Sequence, residues 1–456
     1  MQVAPLAILW FLAVILAFLD GRRAYAGWLG VAGLAASLGI LLWLAGQIAA
    51  VGPLVMTAGD WPAGVGIVLR LDMLGVVFAI LSTAVLLTAL AYEVLRGVLL
   101  PPFPALVLFL AAGLNGLFAT GDAFNFYVFF EVSMTASFVL TSYGEHRRQT
   151  RVTVVFVVVN LLGSVLFLVA VAALYHVTGT LAMAQIASRI VSVTPTTVLL
   201  IGTLIFAAFG IKLGLFPFHY WLPPVYRDAT PVVAAILAGA LANIGAYGLL
   251  RFGGELLPSA LQAGAWALVV IGGVSIVYGE VIAISRCPTS EVLAYSSISQ
   301  AGYILIAIAI GGPVGYAAAV LYTVANSFNK TMLFLASGVR GWLVGAAFAI
   351  GGFSVAGIPP SVGFFGKVAL FRTGFAGDNA AVLALVFVGG ALSLIYMFQV
   401  YQRRYWAADQ PERPSPVGAR ITVIALASLI VALGLWPEPL LAATTQAAAV
   451  LGGGAR

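Results

Sequence analysis

Runs of about twenty apolar residues recur along the chain, each long enough to cross a bilayer as a helix. They lie near 4–19, 26–50, 73–95, 104–120, 122–142, 152–175, 196–218, 230–250, 262–284, 292–311, 314–338, 342–376, 380–402 and 419–435. The pattern predicts about fourteen transmembrane helices. The runs are continuous rather than alternating, so a barrel of strands is excluded. The first run has no basic residue before it, and the first arginine, Arg22, follows it. It therefore reads as a span and not as a cleaved signal.

Two runs carry proline in their interior. The seventh reads IKLGLFPFHYWLPPVY, with Pro217, Pro223 and Pro224, and the twelfth reads GGFSVAGIPPSVGFFGKVALF, with Pro359 and Pro360. Proline removes a backbone donor and clashes with the preceding turn. Backbone groups freed at membrane depth must line a buried or wet cavity. The alternative is that Pro-Pro only ends a helix. However, the two interruptions lie five spans apart, and each has an intramembrane lysine close by. That recurrence predicts two five-helix repeats, spans 4–8 and 9–13, inverted because five is odd. The expected division is three N-terminal helices (1–100), a first repeat (101–255), a second repeat (256–405), and a C-terminal loop with the last helix (406–456).

The chain is 62% hydrophobic and 8% charged, against about 25% charge in soluble domains. The fold class is therefore an all-α polytopic membrane protein. Of 21 basic residues, three are lysine: Lys212, Lys330 and Lys367. The eighteen arginines lie near the ends of runs and the lysines inside them. Arginine cannot pass a proton on, whereas desolvated lysine can lose its charge. With fourteen spans, one set of loops holds 13 arginines and the other 5, which places both termini on the non-cytoplasmic side of a cell (inner) membrane. One missed helix would invert every later loop, so the clean split supports the count. The net charge of +6 then reports topology and not nucleic-acid binding. The single cysteine, Cys287, and three scattered histidines give no haem, zinc or cluster spacing. No cofactor or metal is expected, and a stand-alone enzyme lacks any nucleophile–base constellation.

Glu131 lies mid-span in NFYVFFEVSMTASFVL, where an unpaired carboxylate is costly. Its expected partner is Lys212, as a static ion pair or as a coupled, proton-releasing one. Lys330 lies among Asn326, Asn329 and Thr331, and Lys367 about two turns beyond Pro360. Neither has a carboxylate in its own span, so each is expected to face a wet polar file. His219 follows the break at Pro217 and reads either as a relay or as a helix-end cap. Asn243, inside the eighth span, is either helix–helix glue or a water ligand, and with Asn326 completes the candidate relay. Asp122 reads as a helix cap, Asp72 and Glu93 as interfacial, His176 as interfacial, and Glu280 as a surface partner of Arg286.

The stretches GDAFNFYVFFEV (121–132), IKLGLFPFHYWLP (211–223), EVLAYSSISQAGY (291–303), FNKTMLFLASG (328–338) and GIPPSVGFFGK (357–367) occur in this order. Together they resemble the antiporter-like subunits shared by Mrp-type multisubunit cation/proton antiporters and respiratory complex I. GDWPAGVGIVLRLDMLG (59–75) with GDAFNFYVFFEV looks most like the D-subunit branch. The resemblance covers about residues 55–405. It implies a fourteen-helix core, proton translocation through Glu131, Lys212, Lys330 and Lys367, and hydrophobic partner subunits in a larger complex. The departures are Asn243, where the family often has lysine, Thr289-Ser290-Glu291 where a basic residue or pair is common, and Tyr322 and Asn326 where histidines are common. Three functions are compatible with this. The first is a proton-translocating subunit of a monovalent cation (Na+)/proton antiporter complex. The second is the same subunit in a complex I-type or membrane-bound hydrogenase pump. The third is a non-conducting scaffold, motivated by Asn243.

Overall fold

A computed structural model describes residues 2–61, 66–97, 100–142, 147–406 and 416–452. Residues 62–65 of the GDWPAGVG stretch, His146, Arg413 and Arg456 lie outside the described residues, as do the side chains of Arg147 and Arg148.

The N-terminal group is α1 (Ala4–Phe18), α2 (Ala24–Val51) and α3 (Met73–Arg96). Between α2 and α3 the structure departs from the all-helical expectation. A short antiparallel hairpin of β1 (Leu54–Thr57) and β2 (Val68–Leu71) pairs Leu54 with Leu71 and Thr57 with Val68. Its strands are too short for hydropathy to separate from loop. The Asp72 side chain then caps α3, accepting from the Gly75 N–H at 2.9 Å.

The first repeat runs through α4 (Phe103–Phe118), α5 (Ala123–Thr141), α6 (Arg147–Thr178), the short α7 (Met183–Arg189) and α8 (Pro195–Leu213). After the break come a 3₁₀ turn (Phe218–Trp221) and α9 (Leu222–Asp228). The eighth span is α10 (Pro231–Ile236) and α11 (Asn243–Gly248), interleaved with π-helical turns at Leu237–Leu241 and Leu249–Leu256. Asp122 caps α5 as expected, accepting from the Asn125 N–H at 2.8 Å.

The second repeat comprises α12 (Pro258–Ser285), α13 (Thr289–Ile310), α14 (Gly312–Ser337), the broken pair α15 (Trp342–Ala356) and α16 (Val362–Ala376), and α17 (Ala380–Tyr401). α18 (Val417–Leu435) and α19 (Glu438–Gly452) close the chain. Here the structure extends the reading. Gly434 lies against Pro360 and Ser361 of the second break. After Trp436-Pro437, α19 packs on α3, α14 and the end of the eighth span. The last span is therefore interrupted as well, beside the twelfth.

The two expected breaks share one construction. α8 ends at Gly214 (φ 71°) and α15 at Gly357 (φ 85°), both left-handed. The Leu215 N–H reaches back to the Gly210 carbonyl (3.1 Å), and the Ile358 N–H to the Phe353 carbonyl (2.9 Å). This is the same six-residue closure of a helix C-terminus twice over. A proline follows each glycine by three residues, Pro217 and Pro360, and both peptide bonds into these prolines are cis. Groups freed by the breaks find partners. The Phe216 N–H donates to Ser275 Oγ (3.1 Å), the Trp221 indole N–H to the Ile211 carbonyl (3.0 Å), and the Gly363 N–H to Ser354 Oγ (3.2 Å).

α14 and the eighth span form the buried centre. Glycine there permits close helix approach: a Cβ on Gly239 would collide with the Thr331 hydroxyl, and one on Gly245 would press on the Leu213 backbone. Arginine contacts gather at one end of the bundle. Arg403 donates to the Arg286 carbonyl, Arg404 to the Ser337 carbonyl, and Arg420 lies against Gly341.

The opposite end holds a charge network around Asp72, which is buried within the protein. Arg251 is 1% exposed. It donates to both Asp72 oxygens (2.8 and 2.8 Å), to Glu255 and to the Tyr247 hydroxyl. Arg70 of β2 reaches Asp72 (3.1 Å) and Glu255. Two cations and two carboxylates balance, which is what lets them stay buried. Glu93 is also buried, at 2% exposure, and pairs with Arg96 at 3.7 Å. The segments holding Asp72 and Arg251 are 179 residues apart, so hydropathy alone could not join them.

Candidate functional site

Lys212 sits in the last turn of α8, where unpaired carbonyls leave partial negative charge. Lys367 reaches the corresponding place from across its break: its stem lies against Gly357, the cap of α15. Each half-helix thus presents its carboxyl end to a lysine, and both lysines are buried. The Lys212 ammonium donates to the Asn160 carbonyl of α6 (2.9 Å) and lies 4.3 Å from the Phe130 ring centroid. Lys367 Nζ lies 3.6 Å from the Tyr303 ring centroid and 5.7 Å from that of Tyr322. It has no hydrogen-bond partner among the described residues.

Glu131 is half-buried on α5, with one oxygen unpartnered. Among the described residues no ion pair joins it to Lys212. Successive helical residues point about 100° apart. Phe130 faces the bundle and takes the position against Lys212, whereas Glu131 turns to a groove lined by Leu106, Phe109 and Val132. Its charge still reaches Lys212 through space.

Lys330 is fully buried on α14 and donates to Ser296 Oγ (2.7 Å) and the Leu293 carbonyl (3.3 Å), both on α13. Its sequence neighbours are not its partners. Asn326 and Asn329 each leave a side-chain oxygen unpaired, and Thr331 donates to the Ser327 carbonyl. A carboxylate from another span stands near both second-repeat lysines. Glu280 of α12 is 0% exposed rather than a surface partner of Arg286. It accepts from Ser299 and Ser393, and both second-repeat lysines lie within its electrostatic reach. Its apolar neighbours on every side gave no sequence sign that its face of α12 turns inward.

Asn243 holds the centre of the eighth span to two helices. Its amide donates to Ser82 Oγ of α3 (3.2 Å) and to the Gly239 carbonyl (2.9 Å), and its carbonyl accepts from Ser327 Oγ of α14 (2.9 Å). No hydrogen bond among the described residues joins it to Lys212 or Lys330. His219 follows the first break, its ring 4.5 Å from Tyr278 of α12 and 5.5 Å from Phe216, with Nδ1 unpartnered. It lies where the first repeat meets the second. His176 is exposed near the end of α6.

A cavity of about 290 Å³ opens at the arginine-rich end, lined by Tyr226, Thr289, Ser290, Phe334, Ser337 and Arg404. Phe334 lies one turn along α14 from Lys330, on the same face. Ser290 lies one turn before Leu293, whose carbonyl receives the Lys330 ammonium. The cavity floor is therefore a helical turn from Lys330. Asn160, Ser296, Ser393 and Glu280 lie around the lysines in the structure and were not among the sequence-predicted site residues. The available signals were Asn160 and Glu280, polar groups inside the apolar runs 152–175 and 262–284.

Two inverted five-helix repeats, each with a buried lysine beside the break of an interrupted span, define a polytopic ion-translocation subunit. The family described as "NADH:quinone oxidoreductase/Mrp antiporter, TM" matches residues 120–342. The D-subunit of the Na(+)/H(+) antiporter of Alkalihalophilus pseudofirmus is 31% identical over 438 residues, covering 90% of this chain and 88% of the relative. A chain of the Mrp complex from a Dietzia species superposes with a TM-score of 0.92 at 25% identity, covering 99% of this chain and 98% of that one. A chain of the membrane-bound sulfane sulfur reductase, an archaeal respiratory membrane complex, does so at 0.91 and 25%, with 99% and 98% covered. The chain belongs to the NADH:quinone oxidoreductase/Mrp antiporter family of membrane subunits, and along nearly its whole length it is similar to the antiporter D-subunit.

Proposed function

We propose that the chain is a proton-translocating subunit of a multisubunit monovalent cation (Na+)/proton antiporter complex in the cell membrane. The observation that supports this most is the repeated half-helix construction, with buried Lys212 in the last turn of α8 and the buried Lys367 stem against the glycine that ends α15. A helix C-terminus favours the ammonium without a permanent carboxylate contact. Such a lysine can be discharged by a modest shift in neighbouring charge. In this reading Glu131 tunes Lys212 through Phe130 and not by contact. Lys330 draws on the arginine-rich face through the cavity at Thr289 and Ser290. Lys367, Asn243, Asn326 and His219 lie along the remainder, with water bridging Lys212 to Asn243. The arginine bias puts both termini on the non-cytoplasmic side, and the domain division at 100, 255 and 405 follows the repeats. Partners are other hydrophobic subunits, with Glu131 facing a groove at the surface of this chain.

The test is cation-driven proton flux in vesicles holding the assembled complex. Lys212→Ala and Glu131→Ala should each abolish flux with assembly intact. Full flux in both would remove the mechanism and leave a scaffold. The likeness to a respiratory complex chain at TM-score 0.91 favours a second reading, a redox-driven pump whose electron chemistry resides in partners. Co-purified subunits would separate the two.

A further inference from the structure

Glu280 has no part in the reading above, although it is the most deeply buried carboxylate of the second repeat. It lies on α12 at 0% exposure, with Oε2 unpartnered among the described residues. An ionised carboxylate so placed costs several kcal/mol unless hydrogen bonds and nearby cations compensate. The compensation it has is unusual in form. Ser393 Oγ of α17 donates to Oε1 at 3.0 Å, and Tyr396 of the same helix donates to Ser393 Oγ at 3.3 Å. Tyr396 shares a hydrogen bond with Ser296 Oγ of α13 at 2.7 Å, and Ser296 accepts from Lys330 Nζ at 2.7 Å. Because Tyr396 donates to Ser393, Ser296 must be the donor to Tyr396. Four consecutive hydrogen bonds therefore point one way, from the Lys330 ammonium to the Glu280 carboxylate. Bonds aligned in this manner polarise one another.

We infer that Glu280 is a proton-exchanging group of the transport path, joined to Lys330 by a hydroxyl wire through Ser296, Tyr396 and Ser393. The inference rests on the proposed proton translocation. One passage balances as follows. Lys330 gives a proton to Ser296 as Ser296 passes its own to Tyr396. Tyr396 passes its proton to Ser393, and Ser393 passes its own to Oε1. Each hydroxyl ends with one proton, Lys330 becomes a neutral amine, and Glu280 becomes a neutral acid. The hydroxyls then rotate to accept the next proton. Ser299 Oγ of α13 also donates to Oε1. Tyr303, one turn along α13, lies under the Lys367 ammonium. Glu280 thus stands between the two second-repeat lysines, and charging either one alters how firmly it holds its proton.

The experiment is flux in vesicles of the assembled complex, with assembly read by size-exclusion chromatography. Glu280→Gln keeps an acceptor oxygen but no exchangeable acid, and Tyr396→Phe cuts the wire without changing volume. Both should lower flux roughly 100-fold. The infrared difference spectrum between charged and discharged states should show a protonated-acid carbonyl band that Glu280→Gln removes. If Glu280→Gln does not assemble, Tyr396→Phe and Ser393→Ala decide. Unchanged flux in assembled Tyr396→Phe, or in Glu280→Gln, overturns the wire. If Lys212→Ala still abolishes flux in the same preparation, the wire alone fails. If Lys212→Ala is also silent, the transport reading itself has failed.

Discussion

Asp72 is the hinge of a stability prediction. Removing it as Asp72→Leu leaves Arg251, 1% exposed, without its two bonds of 2.8 Å. At that distance and an effective dielectric near 20, one charge contact is worth about 6 kcal/mol gross. Net of desolvation, breaking a buried pair costs about 3–5 kcal/mol. The double variant Asp72→Leu/Arg251→Met removes both charges together. Arg70 and Glu255, already paired, then still balance, so the double variant should lie within about 1–2 kcal/mol of the native chain. The single variants should thus cost more than the double. Reversible unfolding in mixed micelles would measure all four corners. Additive losses would refute the claim that the network acts as one neutral unit. Burial pushes the Asp72 carboxyl up, but the Arg251 guanidinium, with Arg70 and the Gly75 N–H, holds it below the usual aspartate range. Its contribution is therefore complete above about pH 4, the unfolded value, and is lost as pH falls through the lower folded value. In Arg251→Met that acid-side loss should begin at higher pH.

Lys330→Arg keeps the charge but cannot release a proton, so flux should vanish with assembly preserved; retained flux would make Lys330 structural. Gly357→Ala puts a side chain at φ 85° and against the Lys367 stem, which should cost about 1–2 kcal/mol and depress flux, whereas Gly39→Ala, with open space around it, should do neither. In a Cys287→Ser background, Ser290→Cys should react with an impermeant thiol reagent from the cytoplasmic side only, because it lines the cavity at the arginine-rich end; labelling from the other side would invert the topology.

Much of the architecture was legible in order along the chain. Span length and the paired proline breaks are local properties, because a helix in lipid must satisfy its own backbone. Lysine confined to apolar runs marked Lys212, Lys330 and Lys367, and all three are buried. The short β1–β2 hairpin and the continuation of the last span through Pro437 into α19 were not legible: neither makes a full-length apolar run.

Partnership was the other thing hidden. Glu131 and Lys212 follow one another by sequence logic, yet a single residue step on α5 put Phe130 against Lys212 in place of Glu131. Glu280 and Arg286 are close in sequence, yet Glu280 bonds to helices α13 and α17. In a membrane every helix surface is apolar by default, so hydropathy does not say which face turns inward. The sequence alone indicated what crosses the bilayer, where two of the crossings break and that the three lysines lie inside apolar runs. Only the tertiary structure decided which of those groups meet, because contacts between helices depend on rotation about each helix axis, and that is fixed by packing with segments 179 residues away and more.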